Sequence, residues 1–144
     1  MSLTHKIVYN HNSCQDFQDY IESKGFKFIG QGLFRRAYQR GKVVIKVPRS
    51  ICGFEDCVME AYAYFTFRKN PDYRNYVYAP CRLLTNGCLM MVYVDEVESS
   101  HLPKWTGYID GQQCGLYNNR IVAYDSACDI TDYRRQAIEW AGLL

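Results

Sequence analysis

Asn86-Gly87 stands between two apolar runs, Cys81-Arg-Leu-Leu-Thr and Cys88-Leu-Met-Met-Val-Tyr-Val. Asn-Gly between two apolar runs is the strongest short hairpin signal a sequence can give, so the pair predicts an antiparallel hairpin. Two further turns carry similar chemistry. Arg40-Gly41 separates Phe34–Gln39 from Val43–Val47, and Asn118-Asn119 separates Cys-Gly-Leu-Tyr from Arg-Ile-Val-Ala-Tyr-Asp. With Phe26–Ile29 leading into Gly30-Gln31-Gly32, the strands form hairpins throughout.

Between the hairpins the apolar spacing becomes helical. Phe17, Tyr20 and Ile21 fall at i, i+3 and i+4 within residues 14–24, with Ser13 as the expected N-cap and Gly25 as the stop. Phe54–Lys69 reads as a second helix closed by Asn70-Pro71, and Thr131–Leu144 as a third, capped by Asp129 or Thr131. Residues 95–111 read as a loop. The class is α+β, an antiparallel sheet of hairpins with flanking helices. At 144 residues the chain is expected to form a single domain with a real core.

No apolar run approaches the length of a membrane span. The start, Met1 to Ser13, lacks the basic-then-apolar layout of a signal peptide. The seven cysteines are odd in number and form no CxxC pair, which predicts reduced thiols used as small apolar residues in a cytoplasmic setting.

Charge is unevenly spread. Lys24, Lys27, Arg35, Arg36, Arg40, Lys42, Lys46 and Arg49 lie in a stretch without Asp or Glu, so the remaining chain is acidic. Such a stretch is a solvated basic face or a surface for an anion: phosphate, nucleic acid or an acidic protein. Arg35, Arg36 and Arg40 sit near the two turns of this segment, are expected to be exposed, and are the candidate partner-binding residues. If the partner is nucleic acid, the thirteen tyrosines offer stacking surfaces, although most alternate with core positions.

One of these cations interrupts an apolar strand. Strand alternation puts Val44 and Lys46 on one face of Val43–Val47, with Val43, Ile45 and Val47 on the other. Glu60 stands mid-length on the next helix, and a buried lysine requires a carboxylate partner. A Lys46–Glu60 ion pair is therefore expected. Gly30 and Gly32 would let the backbone approach a ligand and aim N–H groups at phosphate oxygens.

These residues resemble the N-lobe of a protein kinase or a related small-molecule kinase. Gly30, Gly32, Phe34, Ala37 and Tyr38 match the glycine-loop pattern, and Val43-Val-Ile-Lys46 resembles the Val-Ala-Ile-Lys strand. The resemblance makes Lys46 the phosphate-contacting lysine and Glu60 its helix partner. Tyr78-Ala-Pro-Cys and Leu89-Met-Met-Val-Tyr-Val resemble the fourth and fifth strands and the hinge. Met91 then becomes the gatekeeper, and Val92–Val94, with Val44 and Ala37, line an adenine pocket. Leu116–Asp125 resembles the hairpin before the Asp-Phe-Gly motif and makes Asp125 a magnesium ligand. The resemblance spans about residues 26–128. It divides the single domain 1–144 into an N-lobe-like part, 14–98, and a reduced C-lobe-like part, 99–144, and implies ATP and Mg as cofactors.

The departures are specific. Arg35 replaces the third glycine, Ser126-Ala127 follows Asp125, and no His-Arg-Asp occurs. Counting back from Asp125, Gln112 or Gln113 falls at the position of the second metal ligand and Tyr108 at that of the catalytic base, with Asp110 close by. The segment before Asp125 is too short for a full helical C-lobe. Three functions stay open: a degenerate kinase-like protein of the kind suited to compact genomes such as those of phages, binding a host or regulatory protein; a minimal ATP-dependent phosphotransferase with Asp110 as base and Asp125 and Gln113 on metal; and a basic nucleic-acid-binding module.

Overall fold

The computed structural model describes residues 7–67, 78–97, 114–124 and 131–142. The chain runs α1 (His11–Ser23), β1 (Lys27–Gln31), β2 (Arg35–Arg40), β3 (Val43–Pro48), α2 (Ile51–Phe67), β4 (Cys81–Leu83), β5 (Leu89–Val92), β6 (Asp95–Glu96), β7 (Cys114–Tyr117), β8 (Arg120–Ala123) and α3 (Thr131–Gly142). The first five strands form an antiparallel sheet in the order β1-β2-β3-β5-β4; the other three form a smaller sheet in the order β6-β7-β8. The class is α+β, as the sequence predicts.

Turn chemistry sets these elements. Asn118 and Asn119 take φ of 50° and 62°, the two left-handed residues of a type I′ hairpin. Gly87 takes φ 90° between β4 and β5. In the β2–β3 hairpin Arg40 remains paired with Val43, so the turn falls on Gly41-Lys42, one residue later than Arg40-Gly41.

Helix ends differ from the sequence expectations where capping choices compete. α1 is capped by Asn10, whose Oδ1 accepts from the Ser13 amide at 2.9 Å, so Ser13 lies inside the first turn. Its other end is a Schellman motif on Gly25: Phe26 N donates to Ile21 O and Gly25 N to Glu22 O. α2 starts at Ile51 rather than Phe54, because the Ser50 hydroxyl accepts from Gly53 N at 3.3 Å and caps the earlier turn. The proposed stops Asn70-Pro71 and cap Asp129 lie outside the described residues.

The predicted loop 95–111 begins instead with a strand, since Asp95 and Glu96 pair with Leu116 and Gly115. Gly115 makes that crossing possible, because a side chain there would strike the Asp95 carbonyl.

Both faces of the large sheet are covered around β3. Ile45 and Val47 pack with Tyr38, Cys88 and the α1 residues Cys14 and Ile21. Val44 and Met91 form a second cluster with Ala79, Val94 and Val122, joining the small sheet to the large one. A third cluster sets Phe54, Cys57, Val58 and Met59 of α2 against Leu83, Leu89 and the α3 residues Ala137 and Ala141. Five of the six described cysteines are buried or partly buried free thiols, and Cys52 is exposed. No described helix is long and apolar enough to cross a membrane.

Candidate functional site

Lys46 faces inward because β3 is an inner strand. β2 and β5 flank it, with Ala37 and Leu89 opposite Lys46 in the two registers. Alternation sends the lysine to the face of Val44, where α2 and the end of β8 meet it. Its residue exposure is 9%.

The predicted Lys46–Glu60 pair is present. Lys46 Nζ lies 3.0 Å from Glu60 Oε2 and 3.3 Å from Oε1, and it also donates to the Tyr124 carbonyl at 2.7 Å. Burying a charge is tolerated only with such compensation, since the attraction must offset a desolvation cost of several kcal/mol per ion. The ammonium has three N–H groups and faces three oxygens.

A second cation shares the carboxylate. Arg35 Nη2 lies 2.6 Å from Glu60 Oε1, with Nη1 3.9 Å from Cys57 Sγ. This corrects the expectation that Arg35 is an exposed partner-binding residue: its side chain is 11% exposed and is drawn inward by Glu60. The β2 register explains it, because Ala37 sits opposite Lys46 and Arg35, two residues along, shares that face. Arg36 is half-buried; burial and then Glu22 push the Tyr38 phenol up, against the opposing pull of Arg36. Arg40 is exposed, together with Lys24, Lys27, Lys42 and Arg49. The eight cations therefore do not form one exposed surface; Lys46 and Arg35 belong to the interior.

The thiols around the cluster respond to the same burial. Desolvation pushes Cys57 up to about 11. Cys81, which donates to the Glu60 carbonyl, is pushed up to about 12 by burial and then by the Glu60 charge. Both are neutral packing groups at physiological pH.

The residues assigned to an adenine pocket lie together in one packed cluster. Val44, Met91 and Val94 are buried in one cluster with Val122 and Ala79, and Ala37 and Val92 pack against it. Val92 N donates to the Pro80 carbonyl and Tyr93 N to the Lys42 carbonyl, so two hinge amides are spent inside the chain. A bond from Ala79 N to the Ala123 carbonyl at 2.7 Å ties the small sheet to the chain entering β4. The cavity between Glu60, Cys81, Met91 and Tyr124 measures about 10 Å³, room for one water molecule.

Gly30 and Gly32 differ from the glycines that pack. A side chain at Gly53 would strike the Phe34 carbonyl, whereas one at Gly30 or Gly32 would meet nothing within 4 Å. Neither takes positive φ. Phe34, at the loop tip, is 41% exposed.

Asp110, Gln113 and Asp125 lie outside the described residues. Among the described residues no group of three or more His, Cys, Asp or Glu side chains is placed to hold a metal ion. Sequence reasoning missed three participants: Arg35 as an internal ion, Cys57 beneath it, and the Tyr124 carbonyl. The β2 register could have revealed the first. Comparison with known proteins gives no match, whether to family models, to curated proteins or to solved structures.

Proposed function

We propose that this chain is a reduced kinase-like scaffold that acts by binding a protein partner and does not transfer phosphate. One observation carries the reading. Val44, Met91, Val94 and Val122 pack in one cluster at the position that the resemblance assigns to adenine, while Lys46 is held by Glu60 and the Tyr124 carbonyl. In this reading the packed cluster and the held lysine disfavour ATP. It would have to part the two sheets and take Lys46 from internal oxygens. The kinase-like part of the reading is supported by element order: a glycine hairpin, a strand carrying Lys46, a helix carrying Glu60, and a hairpin ending beside the lysine.

Incubation with magnesium and ATP labelled on the γ-phosphate tests the first half of the reading. Neither the chain nor a mixed set of acceptor proteins takes up label; transfer that Lys46→Met abolishes overturns the reading. The partner half is tested by capture at low salt, with Arg36→Glu/Arg40→Glu as control. Arg35 is left intact because it holds Glu60. A protein retained by wild type and lost by the double variant supports the reading. Equal recovery places the surface elsewhere, and nucleic acid that nuclease removes favours a nucleic-acid-binding module.

A second reading rests on Gly30 and Gly32. Nothing in the chain's own packing or φ values requires glycine at either position. Glycines of that kind favour a ligand that approaches the backbone closely, as a nucleotide phosphate does. Binding of Mg–ATP without transfer is the outcome that supports it.

A further inference from the structure

The outer strand of the large sheet has the opposite character to β3. β1 ends the strand order, and each of its residues is exposed except Gly30, which is half-buried. Phe28 is 55% and Ile29 49% exposed, and Leu33 just beyond the strand is 87% exposed. Edge strands present unpaired N–H and C=O groups and are usually blunted by charge, bulges or brevity. β1 has Lys27 and a bulge that leaves Ile29 without a partner in β2, yet it combines its free edge with apolar side chains. That combination suits the addition of a strand.

The charge around the edge selects the occupant. Lys27 opens β1 opposite Gln39, next to the Gly41-Lys42 turn. The Arg40 side chain reaches within 4.0 Å of a Cβ position on Gly25, so Arg40, Lys24 and Lys27 gather at one end of the edge. Glu22, the nearest acid in the sequence, is a single carboxylate among these three cations. A second copy pairing about a two-fold axis would run antiparallel and set the Gln31 end, which carries no acid, against these cations, leaving their charge unmatched.

We infer that the β1 edge accepts an added strand from a partner protein, an extended segment with acidic residues at the Lys27 end and apolar residues at following alternate positions. This deepens the partner-binding reading above and rests on it. Backbone bonds to β1 supply the pairing, Phe28 and Ile29 supply apolar cover, and Lys24, Lys27 and Arg40 set direction.

The test is selection of a displayed library of random 12-residue peptides against wild type at low salt. Selected peptides are expected to carry Asp or Glu at one end of an alternating apolar segment. Bound peptide slows amide exchange across residues 27–31, and Lys27→Glu/Ile29→Lys weakens binding at least tenfold. The substituted positions are exposed, so the thermal midpoint of the variant checks its fold. Should it fail to fold, a peptide N-methylated at alternate amides must bind wild type at least tenfold more weakly than its parent. Selection of no peptides or of peptides without acid, protection outside residues 27–31, or full affinity of the N-methylated peptide overturns the inference. So does a dimer in sedimentation that the variant abolishes, or a single-stranded oligonucleotide that protects the same amides in place of peptide. Phosphate transfer from labelled ATP would remove the scaffold reading while leaving the edge measurement intact, so the two failures are distinguishable.

Discussion

β3 and β1 are strands of one sheet, separated by a single neighbour, and they solve opposite problems. β3 carries a lysine into the interior, where Glu60 and the Tyr124 carbonyl hold it beside packed valines. β1 leaves Phe28 and Ile29 in water with a free backbone edge. Chemistry that would be expected in the interior is sealed there, while the surface feature remains open. The contrast teaches where to look for activity: a sealed charge cluster contributes to structure, whereas an uncovered apolar edge invites a partner.

The strongest way to break the contrast is to open the sealed end. Glu60→Ala removes the carboxylate that Lys46 and Arg35 share, and removing one partner of a buried pair costs about 3–5 kcal/mol. For a chain of this size that lowers the thermal midpoint by roughly 6–20 °C. Lys46→Met leaves Glu60 with Arg35 and should cost less than half as much. Equal, small losses in urea unfolding would mean that the cluster is not sealed.

The next effect comes from the junction of the glycine loop with α2. Gly53→Ala drives a methyl into the Phe34 carbonyl and should cost about 1–3 kcal/mol, seen as a fall of several degrees in the same melts. An unchanged midpoint would show that the loop is not held against the helix.

Alkaline pH probes the interior without a substitution. Cys57 and Cys81 are neutral in the fold, with values raised to about 11 and about 12 from 9.0. Above about pH 9 the unfolded chain loses these protons first, so it binds fewer protons than the native state and stability falls as pH rises. The loss continues until the folded values are passed, at up to about 1.4 kcal/mol per pH unit for each thiol. Cys57→Ala should flatten the slope of unfolding free energy against pH over that window; an unaltered slope would contradict the burial assigned to this thiol.

The smallest effect is at the open end. Gly30→Ala meets free space at an ordinary φ, so the loss of unfolded-state freedom should leave stability unchanged or raise it by about 0.4–1 kcal/mol. A clear loss would mean that β1 is covered.

Much of this division was legible in the sequence because turns and alternation carry their own mechanism. Asn86-Gly87 and Asn118-Asn119 specify hairpins, and Val44 and Lys46 share a face because strand periodicity is two. The inward course of Arg35 was also encoded, since the β2–β3 register puts Ala37 opposite Lys46 and Arg35 on the same face. It is hidden by the habit of treating arginines near turns as surface residues. β6 was not legible, because two residues are too few for alternation to be read. Asn10 and Ser13 are both good caps, and only the path of the chain into the helix chooses between them. The packing of Val44 and Met91 against Val94 and Val122 has no local signature at all. It depends on how closely the two sheets approach, which is fixed by tertiary bonds such as Ala79 N to the Ala123 carbonyl.

Thermal unfolding with and without millimolar Mg–ATP tests most directly whether the slot is closed. A ligand present at 100 times its dissociation constant stabilises by about 2.7 kcal/mol, or roughly 5–10 °C for a chain of this length. A closed slot predicts a shift below about 1 °C for wild type. A rise of roughly 5–10 °C that Lys46→Ala removes would contradict it and restore Lys46 as a phosphate ligand.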